Sequence, residues 1–228
     1  DNLVGCMTIQ SESQGGSVSL EQSSVLPDSI AEQLRASILN QVDAPGSAIT
    51  ESAVALRFGV ARPTARLAID KLVADGLLRR TANRAARVPV MTPADVQDLY
   101  DTRALVEVAA VERLAVEGSI PADALRAHRA LLAVDDETGA FARLDADFHR
   151  ALVAGQTSPR LARLHEQLMG EVELCIAQVQ ARRLLTAAEI AQQHQRILDA
   201  VVAGDVAAAA TDARAHIHGA RDRLLTHP

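Results

Sequence analysis

Apolar residues along this chain recur mostly three and four positions apart, the spacing that lines one face of a helix. Ile30, Leu34 and Ile38, preceded by Pro27-Asp28, predict a first helix, and Pro45-Gly46 marks a turn. A short helix is expected from about Glu51 to Arg57, ending at Gly59. A second begins near Ala61 and runs through Ala65, Ala68, Ile69 and Leu72 to Gly76. Two short helices around one glycine predict a helix-turn-helix. Leu77 to Arg80, the polar run Thr81-Ala82-Asn83 and then Arg84 to Val90, with Val88 and Val90 alternating, read as a hairpin. Helix, helix-turn-helix and hairpin together describe a winged helix over residues 27–92.

Residues 93–228 read as an all-helical bundle of about six helices, giving a mainly α chain. Thr92-Pro93-Ala94-Asp95 sets out a capping hydroxyl, a helix-compatible proline and an acidic third residue, opening a long helix to Glu117-Gly118. Further helices are expected at about 121–134, 138–154, 158–182, 186–203 and 205–225. In the fourth of the six, Leu161, Leu164, Leu168, Val172, Cys175 and Val179 predict one buried stripe and the spine of the bundle. Residues 1–26, rich in Ser, Gln and Gly, lack any such periodicity and are expected to form a disordered arm.

Composition narrows the picture. With 48% hydrophobic residues, a net charge of −6 and no long apolar run, the sequence reads as a globular protein that does not enter a membrane. Aromatic residues make up only 2%, so the core must be built from Leu, Ala, Val and Ile, a mixture that favours helices. Cys6 and Cys175 are too few for a disulfide framework or a thiolate metal site, which points to the cytoplasm.

The charge is unevenly spread. Residues 57–87 hold Arg57, Arg62, Arg66, Lys71, Arg79, Arg80, Arg84 and Arg87 against only Asp70 and Asp75, whereas residues 93–228 carry 14 basic and 20 acidic residues. A basic module joined to an acidic one is expected when only one end meets a polyanion such as DNA. Arg62 and Arg66, four apart at the start of the second helix, share one face opposite its apolar stripe and can reach guanine in a major groove. Arg84 and Arg87 on the wing are placed for phosphates or a minor groove.

The acidic half offers a different chemistry. Asp145 and His149, at i and i+4, project from one helix face, a spacing that lets a carboxylate and an imidazole share an ion. If the last two helices pack against theirs, His194 and His216 complete a set of three nitrogens and one oxygen suited to Zn²⁺, Ni²⁺ or Mn²⁺. Asp147 and His218 are near rivals, each two residues from a favoured ligand and therefore turned away from it. Arg103 falls on the inward stripe of Val96, Leu99, Val106 and Ala110, where it needs an anion: a bound carboxylate, or a salt bridge to Glu107 or Asp145. His128, His165 and His227 lack such context and are expected to be solvated.

Pro45-Gly46, Ile49-Thr50-Glu51, Val54-Ala55, Gly59-Val60, Arg62, Arg66, Ala68-Ile69, Leu72 and Asp75-Gly76-Leu77 resemble the N-terminal domain of GntR-family regulators. The resemblance places Arg62 and Arg66 on the family's base-contacting arginines, Thr64 on a neighbouring contact position and Arg84 at the wing tip. Ala61 departs from the usual capping Ser or Thr, and Ala85 from a frequent wing Gly. Asp145 to His149, His194 with Gly204-Asp205, and His216 resemble the FCD ligand-binding domain of the FadR-like subfamily. That implies metal ligation by Asp145, His149, His194 and His216, with a small carboxylate effector above the metal. Gln193 and Ser158 depart from a frequent Glu and Asn. The function implied is a dimeric, ligand-responsive repressor reading a pseudo-palindromic DNA operator. A metal-sensing regulator and a metal-dependent hydrolase are the alternatives, and no H-E-x-x-H motif supports the latter.

Overall fold

The computed structural model describes residues 20–82, 84–134 and 140–227, with side chains from residue 26 onward. Helix α1, Leu20–Leu39, starts seven residues before Pro27 and carries that proline inside it. The arm expected over 1–26 is therefore helical from Leu20, while residues 1–19 lie outside the described residues. Ile30, Ala31, Leu34 and Ile38 form the buried face of α1.

Helix α2, Glu51–Phe58, is capped by the Thr50 hydroxyl, which accepts from the Ala53 amide, and stops at Gly59 in the left-handed conformation, φ 65°. Helix α3, Arg62–Ala74, buries Ala65, Ala68, Ile69 and Leu72; its N-cap, Ala61, makes no side-chain capping bond. The wing differs from a simple hairpin. Strand β2, Ala86–Arg87, pairs antiparallel with β1, Ala48–Ile49, a strand the sequence pattern did not announce, and meets the Arg79 segment only through an isolated Arg79–Arg87 bridge. Two residues are too short to show alternation, so the pairing is visible only in three dimensions.

The rest is helical: α4 Pro93–Glu117, α5 Ala122–Leu132, α6 Phe141–Ala154, α7 Pro159–Ala181, α8 Ala187–Val202 and α9 Val206–Thr226. The predicted Thr92–Asp95 capping box is present, and Thr186–Glu189 forms a second at α8. The α4 helix packs against α6, α7, α8 and α9, so it shares with α7 the role of spine. The predicted stripe of α7 holds only in its second half. Leu164 is 57% exposed, and the inward positions of the first half are His165 and Met169, one residue out of step with the pattern.

The winged-helix head is bolted to the bundle at the end of α3. Gly76 adopts φ +78°, and a Cβ placed on Gly170 of α7 would lie 1.8 Å from the Asp75 carbonyl oxygen. Since that neighbour is backbone, we expect Gly170→Ala to destabilise the protein by about 1–3 kcal/mol despite alanine's better helix propensity. Denaturant midpoints measure this, and an unchanged or raised midpoint would show that the head yields freely.

Candidate metal centre and DNA-binding face

Asp145 and His149 from α6, His194 from α8 and His216 from α9 meet in the bundle interior, all four buried, with one potential ligand atom from each lying within 4.8 Å of the others. His149 Nε2 and His216 Nε2 face each other at 3.1 Å, His194 Nε2 is 3.1 Å from Asp145 Oδ1, and His149 Nε2 is 3.9 Å from the same oxygen.

The surrounding groups favour one tautomer. His216 Nδ1 lies 2.8 Å from Gln193 Oε1, and His149 Nδ1, though outside hydrogen-bond alignment, lies 2.8 Å from Glu107 Oε2, a carboxylate oxygen that can only accept, so a proton on Nδ1 is favoured in both rings. Their Nε2 lone pairs then point at each other across 3.1 Å. Buried lone pairs so placed repel unless a cation lies between them. Two nitrogens bound tetrahedrally to one ion at about 2.0–2.1 Å sit about 3.3 Å apart, close to what is seen. Asp145 Oδ1 and both nitrogens of His194 are buried with no hydrogen-bond partner among the described residues, which is costly unless a ligand satisfies them. The residues present therefore fit a divalent metal ion.

Electrostatics keep the rings neutral, the form that ligates. Burial pushes His149 down to about 4, with Glu107 opposing and Arg103 adding to the shift. Burial also lowers His194 against the pull of Asp145, and lowers His216 further, helped by His194 and His149. For Asp145 burial acts upward and is the largest single effect, but His194, His149 and His216 together outweigh it and hold the carboxyl below its usual range. Glu107 is likewise held low by Arg103, then by His149 and His165, against its burial.

These directions predict acid sensitivity. Because the buried imidazoles titrate below 6.5, the unfolded chain binds more protons than the folded one between pH 6.5 and about 4, and stability falls as pH drops through that window. At about 1.4 kcal/mol per pKa unit, His149 alone contributes a loss on the order of 3 kcal/mol. The depressed carboxylates Asp145 and Glu107 extend the loss to still lower pH. Urea midpoints of chelator-treated protein across this range should slope accordingly; a flat profile would contradict the buried neutral imidazoles.

The shell around the four residues was only partly legible in sequence. Arg103 is buried, and its Nε donates to Glu107 Oε1 at 2.7 Å, so of the anionic partners considered Glu107 is the one it meets. Its Nη2 and the nearby Tyr100 hydroxyl are buried with no hydrogen-bond partner among the described residues. His165, expected in solvent, is buried and lies 2.9 Å from Glu107 Oε1 through Nε2. His128, expected there too, is buried with Nε2 3.1 Å from Gln195 Oε1. His165 is in register with the buried Met169 and Val172, a signal hidden by the competing leucine pattern. His128 lies on a stripe of alanines, too weak to mark a buried face. His227 is exposed, as expected. Of the rivals, Asp147 pairs with Arg150 and lines an outer groove of about 480 Å³ between α5 and α6, and His218 sits 3.7 Å from Asp101. Phe148 stacks on His194, ring centroids 3.8 Å apart, and fixes that ring's plane.

On the head, Arg62 and Arg66 stand exposed at the start of α3 and Thr64 is half-buried beside them. Arg66 lies 3.6 Å from Asp70 and 4.0 Å from Glu51, loose surface pairs that a phosphate or base can displace. Neither Arg62 nor Arg84 has an ion-pair partner among the described residues. Arg87 is exposed, but its Nη1 donates to the Gly46 carbonyl at 2.8 Å and holds the wing to the turn before β1.

The profile of the FCD domain matches residues 98–219, and that of the bacterial regulatory proteins of the gntR family matches residues 26–88. The chain belongs to the GntR family. An HTH-type transcriptional regulator from an unstable DNA locus of Streptomyces ambofaciens is 28% identical over 203 residues, 84% of this chain and 82% of that one. The Nta operon transcriptional regulator of Aminobacter aminovorans is 33% identical over 114 residues, 48% of this chain and 53% of that protein. Among solved structures, a GntR transcriptional regulator from Rhodococcus sp. RHA1 superposes with TM-score 0.71 at 27% identity, covering 89% of this chain and 98% of that one. Escherichia coli McbR/YncC shares the fold, with TM-score 0.67 at 18% identity over 88% of this chain and 97% of that one. This GntR regulator is thus a DNA-binding transcriptional regulator with an FCD domain, not an enzyme. No helix among its described residues is long and apolar enough to cross a membrane.

Proposed function

We propose that this GntR regulator is a homodimeric, effector-gated repressor whose DNA-binding head (27–92) reads a pseudo-palindromic operator and whose FCD bundle (93–228) holds a divalent metal, Zn²⁺, Ni²⁺ or Mn²⁺, and a small carboxylate. The observation that carries the metal is the mutual approach of the His149 and His216 Nε2 atoms at 3.1 Å, in a buried site shared with Asp145 and His194. The metal would be held by Asp145 Oδ1 and the three Nε2 atoms, and when bound it supplies a Lewis-acidic anchor for an anionic ligand. Glu107 and Gln193 hold the ring orientations of His149 and His216, as groups behind metal ligands do.

The carboxylate reading rests on Arg103. Its guanidinium already neutralises Glu107 through Nε, while Nη2 and the Tyr100 hydroxyl remain available as buried donors. A carboxylate accepting from both would remove two desolvation penalties at once. On the head, Arg62 and Arg66 read bases, Thr64 adds a neighbouring contact, and Arg84 and Arg87 hold the backbone from the wing. A coupling of about 1–3 kcal/mol between effector and operator would change DNA affinity about 5–150-fold.

Elemental analysis of the purified protein, with mass spectrometry of small molecules released on denaturation, tests the bundle. About one metal ion per chain together with a small carboxylic acid is the expected result. Protein never exposed to chelator and free of metal would overturn the metal and leave the DNA-binding head untouched.

A further inference from the structure

We infer that Glu173 is a positioning residue for DNA binding: a buried carboxylate that fixes the head on the bundle and transmits the placement of α6 to it. Glu173 lies on α7, 1% exposed, and is clamped by two arginines from different parts of the molecule. Arg35 Nη1 of α1, in the head, donates to Oε2 at 2.7 Å; Arg150 Nη2 of α6, in the bundle, lies 2.6 Å from Oε1. Arg35 spends its other Nη on Asp75 Oδ2 at 2.6 Å, at the C-cap of α3, the helix that carries Arg62 and Arg66. Arg150 follows His149 directly and lies five residues after Asp145 on the same helix.

The chain of contacts therefore runs from α6 through Arg150, Glu173 and Arg35 to the end of the recognition helix. Glu173 is shielded from water while Arg35, Arg150 and Asp75 are partly exposed, and a buried carboxylate that loses one partner is penalised. Both pairs persist only while α1, α6 and α7 keep their present spacing, so a shift of α6 must either carry Glu173 and α1 with it or cost Glu173 one of its two partners. The backbone contact of Gly170 with Asp75 and Gly76, three residues earlier on α7, leaves the α3 end little freedom to move in any other way. Arg79 adds an exposed bridge to Glu171 at 2.7 Å that steadies the same seam.

Glu173→Gln keeps the size of the side chain and removes its charge. The arginines are not orphaned by it: Arg35 retains Asp75 and Glu32, and Arg150 retains Asp147 and Glu166. The test is selection of binding sites from a random DNA pool by the full chain, its Glu173→Gln variant and its Arg150→Ala variant. The wild type should recover two half-sites at one preferred spacing. Both variants should recover the same half-site sequence at several spacings, since base reading is intact and head placement is loosened. Among the described residues Arg150 makes no hydrogen bond or ion pair with the head, so a merely local role for it would leave spacing alone. A single wild-type spacing retained by both variants, or paired half-sites recovered by the wild type without a preferred spacing, would overturn the inference.

Because spacing presupposes the dimer of the proposed function, hydrogen exchange of the chain without DNA separates the two. Isolated half-sites from the wild type would sink the two-fold reading only. The role of Glu173 is then decided by the α1 amides around Arg35, which should exchange about tenfold faster or more in Arg150→Ala. Unchanged exchange there would refute it.

Discussion

The double variant His149→Ala, His194→Ala should lose the metal altogether, falling from about one ion per chain to background in elemental analysis of the gel-filtered protein. Two of four proposed ligands vanish, and Asp145 with His216 cannot hold a divalent ion against a chelator at micromolar protein. The two rings come from different helices, α6 and α8, so no neighbouring side chain can take over both places. The substitutions also leave space in a tightly packed interior, for which a loss of about 2–5 kcal/mol of stability is expected. Metal content must therefore be measured on the folded fraction. A stoichiometric ion remaining in that fraction would refute the ligand set, whatever its effect on DNA binding.

Arg62→Ala should abolish specific operator binding while leaving the fold intact. Arg62 is exposed and has no ion-pair partner among the described residues, so its removal should move the unfolding midpoint by no more than about 0.5 kcal/mol equivalent. A bidentate arginine–guanine contact contributes about 1–3 kcal/mol of discrimination. Two symmetric copies double this, for a specific affinity about 30- to 10⁴-fold weaker. Non-specific binding should fall much less, because Arg66, Arg84 and Arg87 remain exposed on the head. Specific binding retained at physiological salt would remove Arg62 from the reading surface and shift the burden to Arg66.

The helices were legible because their signals are local. The Thr92–Asp95 capping box and the left-handed glycines at 59, 76 and 118 punctuate the chain with backbone chemistry that needs no distant partner. The four-residue step from Asp145 to His149 likewise announced a shared face. The wing was half read: the Arg84–Val90 segment was placed, but its partner Ala48–Ile49 lies nearly forty residues away and two residues carry no periodicity. In α7 the leucines at 161, 164 and 168 outweighed His165 and Met169, because a count of apolar residues cannot register an imidazole whose burial is made favourable by Glu107.

What the sequence determined by itself was the order of helices, the segregation of positive charge to the head, and the residue types able to take a metal. These follow from backbone preference, periodicity and composition, which act over a few residues. Tertiary structure alone decided that Asp145, His149, His194 and His216 converge within 4.8 Å, that Glu107 rather than Asp145 pairs with Arg103, and that Glu173 is shared by arginines 138 and 23 positions away in sequence. Each of these is a contact between helices, fixed by how α4, α6, α7, α8 and α9 pack and by the high cost of burying a charge without its partner.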